Sequence, residues 1–167
     1  MKRLKYAWPV GALLLVWAVP SCADRGDGEG LKVGQEVPSF TLTTAAKELL
    51  TSEALRGQVV ILCFWTTTCA ACISEMPELE WIQENTRAKV VGVALDQSGW
   101  KAVRPFLERH PLSYTVALGD ELLFQRFDGL SIPYTLVLDQ EQRIARIYRG
   151  AVTRKTLEKD VKALGAA

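Results

Sequence analysis

Val59-Val60-Ile61-Leu62-Cys63-Phe64-Trp65, seven apolar residues in succession, leads through Thr66-Thr67-Thr68 into Cys69-Ala70-Ala71-Cys72. A strand with one wet face alternates apolar and polar side chains, whereas an unbroken apolar run of this length fits a central strand covered on both faces. Beyond it, the stretch from Cys69 to about Thr86 carries Cys72, Met76, Leu79 and Ile82 at helical spacing, with Pro77 expected to kink it. A buried strand that turns directly into a helix is the repeating unit of a layered α/β domain.

The alternation continues outward in both directions. Upstream, Pro38-Ser39-Phe40-Thr41-Leu42 predicts a first strand, and Thr51 to Arg56 a single helical turn before Gly57. Downstream, Val90 to Leu95 reads as a second buried strand. Ser98 is placed to cap a helix with Trp100, Val103, Phe106 and Leu107 on one face, interrupted by Pro105. Tyr114 to Leu118 predicts another strand and Glu121 to Phe127 a short helix. Tyr134 to Leu138 and Arg143 to Tyr148 predict a hairpin, and Leu157, Val161 and Leu164 form the stripe of a last helix closed by Gly165. No internal repeat or low-complexity segment interrupts this order.

The first residues read differently. Lys2, Arg3 and Lys5 precede a 14-residue apolar run from Tyr6 to Val19, and Ser21, Cys22 and Ala23 follow. This is a signal-peptide pattern, and the run is short of the roughly 20 residues that span a bilayer. We assign residues 1–22 to the signal, 23–32 to a flexible tether rich in glycine and charge, and 33–167 to one globular domain. The chain of 167 residues is 49% hydrophobic and 23% charged, ordinary for one such domain. Loss of residues 1–22 removes three of 20 basic residues and none of 19 acidic ones, so 17 face 19 and the formal charge is −2. No basic stripe is present, so nucleic acid is not an expected partner.

Four cysteines are present: Cys22, Cys63, Cys69 and Cys72. Cys63 falls in the apolar strand, where a thiol packs as a small hydrophobe. Cys69 and Cys72 stand where the central strand becomes a helix, and the free N–H groups and dipole at a helix start favour a thiolate, the nucleophile of disulfide exchange. Three residues along a helix return Cys72 to nearly the same face, within reach of a mixed disulfide formed at Cys69. The alternatives are a stapling disulfide, which closes almost no loop, and half a zinc site, for which no second ligand pair exists. The lone His110 precedes Pro111 at a helix end and reads as solvent-facing; no metal site and no cofactor are expected.

The stretch from Phe64 to Cys72, with Glu75 and Pro77 after it, resembles the active-site segment of the TlpA/ResA-type thioredoxin-like proteins, which include the cytochrome c maturation reductases. Val33-Gly34, Pro38, Phe40 and Leu42 extend the resemblance upstream, and Ile132-Pro133-Tyr134-Thr135 downstream, so that it spans roughly residues 33–164. It implies a thioredoxin-like fold, with a central mixed β-sheet flanked by helices and an N-terminal strand extension. It also implies a thiol-disulfide oxidoreductase outside the cytoplasmic membrane, acting through Cys69 and Cys72 on protein thiols or disulfides. Its clients would be an apocytochrome or a metal-site assembly protein, with an upstream membrane thiol donor. The ending Val19-Pro20-Ser21-Cys22 is similar to a bacterial lipobox, implying lipidation at Cys22 and a membrane tether through the N-terminus; plain cleavage after Ala23 and an uncleaved anchor are the alternatives. The resemblance gives Pro133 the part of a cis-proline beside the cysteine pair. It gives Glu75, one turn beyond Cys72, the part of a proton acceptor, against the alternative of a solvated helix-face glutamate.

The chain departs from the family pattern in four respects. Thr68 replaces a large residue and is placed to cap the helix, alanines stand between the cysteines, Gln142 replaces a turn glycine, and Cys63 replaces an asparagine or aspartate. Two other functions share parts of the pattern. A thiol peroxidase would have proline seven residues before its reactive cysteine, where this chain has Leu62. A Cu(I)-binding assembly protein would use the same thiols, which suit that soft ion, but with a wider spacing and a histidine unlike His110.

Overall fold

The computed structural model describes residues 30–167; the signal segment, Cys22 and most of the expected tether lie outside the described residues. Seven strands form one mixed sheet: β1 (Thr41–Thr44), β2 (Leu49–Thr51), β3 (Val60–Trp65), β4 (Lys89–Ala94), β5 (Thr115–Leu118), β6 (Tyr134–Leu138) and β7 (Ile144–Arg149), in the order β2-β1-β5-β4-β3-β6-β7. The three central strands β5, β4 and β3 run parallel, and the flanking pairs are antiparallel. Four helices, α1 (Ala70–Asn85), α2 (Trp100–Arg109), α3 (Glu121–Arg126) and α4 (Arg154–Ala163), connect and cover them.

The apolar run does what its lack of alternation requires. Every residue of β3 is buried, and its side chains divide between two cores. Ile61, Cys63 and Trp65 pack with Met76, Leu79 and Ile82 of α1, Val103 and Phe106 of α2, and Leu157 and Val161 of α4. Val60, Leu62 and Phe64 pack on the opposite face with Phe124, Phe127 and the upstream residues Val37, Phe40 and Leu42. Each fully buried Leu, Ile or Phe contributes about 1.5–3 kcal/mol. This two-sided burial suits β3 to its place among the inner strands, between β4 and β6.

Several boundaries differ from the sequence expectation, each for an identifiable reason. The first strand begins at Thr41 rather than Pro38. Phe40 N–H is held by the Ser52 side chain, at 3.3 Å, instead of by a strand partner, and Pro38 has no N–H to give. The β1–β2 hairpin was not anticipated, because its turn contains neither glycine nor asparagine: Lys47 adopts the left-handed conformation at φ 66°. Thr44 supports that turn, accepting Lys47 N–H on its carbonyl and Glu48 N–H on its hydroxyl. Gly99 at φ 53°, not Ser98, occupies the cap position of α2. Helix α1 runs unbroken across Pro77, which removes only the bond that residue 77 would have made to Ile73.

Gln142 answers the missing turn glycine. It takes φ 62° in the β6–β7 turn and is 1% exposed, with its side-chain amide donating to Leu55 O at 2.9 Å. The left-handed conformation costs a side-chain-bearing residue about 1–2 kcal/mol. The amide–carbonyl hydrogen bond ties the turn to another segment, while the buried Gln142 Oε1 has no hydrogen-bond partner among the described residues.

Candidate active site

The site lies at the carboxyl ends of the parallel strands. The chain leaves β3 at Trp65, crosses three threonines and enters α1 at Ala70, with Cys69 at the cap position. Cys69, not Thr68, supplies the capping atom: its Sγ accepts Cys72 N–H at 3.2 Å. The sulfur therefore occupies the place where a helix start offers unsatisfied N–H groups. Cys69 and Cys72 form a disulfide, with Cα atoms 5.2 Å apart. Cys69 is half-buried and Cys72 is 2% exposed, so Cys69 is the more accessible of the two.

The turn before Cys69 is tied to the neighbouring strand. Asp96, just past the end of β4, accepts Thr67 N–H on both carboxylate oxygens at 3.2 and 3.1 Å and Thr67 Oγ1–H at 2.5 Å. Leu95 N–H donates to Trp65 O at 2.9 Å beside it. Sequence reasoning missed Asp96, although an acidic residue at the carboxyl end of a buried parallel strand marks a place where ligands and functional loops gather.

Glu75 lies on the core face of α1, only 1% exposed, not on the solvated face. Its Oε1 accepts Val152 N–H at 3.2 Å and Thr135 Oγ1–H at 3.4 Å, and its Oε2 lies 3.8 Å from the thiol of Cys63. Burial raises its pKa from 4.5 to about 7, opposed by those three hydrogen bonds. Burial, reinforced by the charge of Glu75, pushes the Cys63 thiol far above its ordinary range. Cys63 is the free cysteine among the described residues and is buried. It packs in the core as expected, yet it also touches Glu75, a contact its place in an apolar run does not disclose.

The Ile132–Pro133 peptide bond is cis. Antiparallel pairing of Phe64 with Tyr134 and of Cys63 with Thr135 puts Pro133 level with Trp65, at the end of β3 from which Cys69 follows. Ile132, next to it, packs against the core cluster that contains Cys72, as does half-buried Cys69. Cys69, Cys72, Glu75 and Pro133 thus gather at one end of the sheet. His110 is remote from this group in role: it caps the end of α2, exposed, with its ring 4.7 Å from that of Phe106. Among the described residues no group of three or more His, Cys, Asp or Glu side chains is placed to hold a metal ion.

Comparison with known proteins supplies the family. The Redoxin family model matches residues 32–164. Thioredoxin-like protein YneN of Bacillus subtilis is 30% identical over 133 residues, covering 77% of this chain and 78% of its own. A thiol-disulfide oxidoreductase ResA from Bacillus thuringiensis is 27% identical over 138 residues, covering 80% of this chain and 79% of its own. Among solved structures, StoA from Bacillus subtilis superposes with a TM-score of 0.64 at 24% identity, over 74% of this chain and 96% of that one. A thio-disulfide isomerase from Thermus thermophilus gives 0.70 at 22% identity, over 82% and 99%. At those identities the structural matches establish the fold, which is thioredoxin-like.

Proposed function

The chain belongs to the redoxin family and is a thiol-disulfide oxidoreductase, and we propose that it exchanges disulfides with partner proteins outside the cytoplasmic membrane through Cys69 and Cys72. The observation that carries this reading is the half-buried Cys69 at the start of α1, its sulfur accepting a backbone N–H, with Cys72 buried behind it. A donor aimed at the sulfur and the dipole of a 16-residue helix both favour negative charge there.

In the reducing direction, the Cys69 thiolate attacks one sulfur of a client disulfide. The client S–S bond breaks, a mixed disulfide forms, and the released client thiolate takes a proton. Cys72 gives its proton to Glu75 and attacks the Cys69 sulfur. The Cys69–Cys72 disulfide forms as the second client thiol leaves, and an upstream dithiol then returns the pair to its reduced state. A Glu75 that titrates near neutrality is matched to accepting and returning that proton. Pro133 borders the site where the client backbone would lie. Clients of the expected kind are an apocytochrome or a metal-site assembly protein. The envelope location rests on the signal-like residues 1–22, which fall outside the described residues.

Cys72→Ala tests this reading, since it halts the sequence at the mixed disulfide. Expressed in its native envelope, the variant is expected to carry a client protein linked through Cys69. Recovery of adducts only through Cys63, or of none, would overturn it.

A further inference from the structure

We propose that Cys63 is a positioning residue of the exchange reaction: its thiol donates to Glu75 Oε2 and thereby sets the proton affinity of the carboxylate that serves Cys72. The inference rests on the reading of Glu75 as the proton acceptor for Cys72, and it concerns a side chain that otherwise reads as core filler.

A buried carboxylate depends on the donors around it. Glu75 is almost wholly removed from water, so its charged state depends on the hydrogen bonds it accepts. Oε1 receives two, from Val152 N–H and Thr135 Oγ1–H. Oε2 faces the Cys63 sulfur at 3.8 Å, within the range of an S–H···O contact. Tyr114 is a titratable neighbour of this cluster; its phenol is buried and its pKa is raised, first by burial and then by the charges of Cys63, Glu80 and Glu75. Tyr114 stays neutral, as does Cys63, because burial holds both pKa values well above the working range.

A thiol that never ionises cannot act as a nucleophile or store the transferred proton. It can do one thing for Glu75, which is to donate. When Glu75 is charged, S–H points to Oε2; when Glu75 is protonated, sulfur is a weak acceptor for the carboxyl proton. The same side chain accommodates both states by turning its S–H alone, which suits a group that must take up and release a proton in each cycle. An alanine or valine offers neither contact and favours the neutral carboxyl.

The disulfide form isolates the effect, because Cys69 and Cys72 do not titrate there. The side-chain carboxyl of 13C-labelled Glu75, assigned by its loss in Glu75→Gln, is followed against pH by NMR. Cys63→Ala and Cys63→Val are expected to move the Glu75 inflection upward by about half a pH unit, and Cys63→Ser, which restores a donor, to return it to or below the wild-type position. Valine fills the space and alanine empties it, so agreement between them separates donation from packing. Client reduction by the same variants should show its pH dependence displaced in the same sense. An inflection unmoved in Cys63→Val would make Cys63 filler and overturn the inference, leaving the role of Glu75 intact. A client-reduction profile that is identical in wild type and Glu75→Gln would instead remove Glu75, and the inference with it.

Discussion

Glu75 is the residue at which function and stability pull apart. Its carboxyl titrates near 7 in the fold against about 4.5 in an ordinary environment, so the folded state binds a proton more tightly than the unfolded chain. The stabilisation tied to that proton is complete below about pH 4.5 and is lost as the pH rises through about 7. The loss is on the order of 3 kcal/mol for such a difference at a group this buried. Urea unfolding of the disulfide form should therefore show stability falling between about pH 5 and 8 in the wild type. Glu75→Gln should flatten that fall and leave the variant the more stable protein at the alkaline end. An equal pH dependence in both proteins would place the titrating group elsewhere. The sequence could point to Glu75 only through a family resemblance, because a glutamate one turn from Cys72 is as common on a wet helix face as in a core. What decided its environment was the approach of Thr135 and Val152, 60 and 77 residues further along the chain. Cys63 was hidden for the same reason: its contact is with a group on another element.

Among the elements, those whose stability comes from one strong periodic pattern were legible, and those held by particular polar contacts were not. Strand β3 and helix α1 follow directly from an apolar run and a helical spacing, to within a residue at their ends. The β1–β2 hairpin was illegible because Lys47 turns the chain where glycine would normally announce it. The strand-to-helix turn that presents Cys69 is also held from outside, by Asp96 beyond β4. Asp96→Ala removes the acceptor of the Thr67 backbone and hydroxyl donors at once. Hydrogen bonds to a charged group contribute about 1.5–3 kcal/mol, so the variant should lose stability on that order at this half-buried site, and Asp96→Asn, which keeps one acceptor oxygen, should lose less. Disulfide exchange should slow in the same rank order, since a loosened turn no longer fixes Cys69 at the cap of α1. Denaturation midpoints and exchange rates on the two variants check this. Unchanged values in Asp96→Ala would show that the helix cap alone holds the turn.

At the scale of the whole molecule, function turns on where the domain is held. The redoxin match begins at residue 32, and among the described residues no helix is long and apolar enough to cross a membrane. The segment before the domain, with its charged start, apolar run and Cys22, is the attachment that the sequence pattern offers. If Cys22 is acylated after cleavage, each buried methylene adds about 0.8 kcal/mol to membrane binding, and several chains together anchor the protein firmly. One hydroxyl in place of the thiol removes all of that attachment without touching a residue of the domain. Cys22→Ser is accordingly expected to move the protein from the membrane to the soluble envelope fraction, while the purified variant exchanges disulfides at the wild-type rate. Mass spectrometry of the mature N-terminus separates the alternatives: an acylated Cys22 in the wild type supports the lipid tether. A free terminus after Ala23 would indicate ordinary secretion. An intact Met1, with Cys22→Ser still membrane-bound, would mean that the apolar run itself is the anchor.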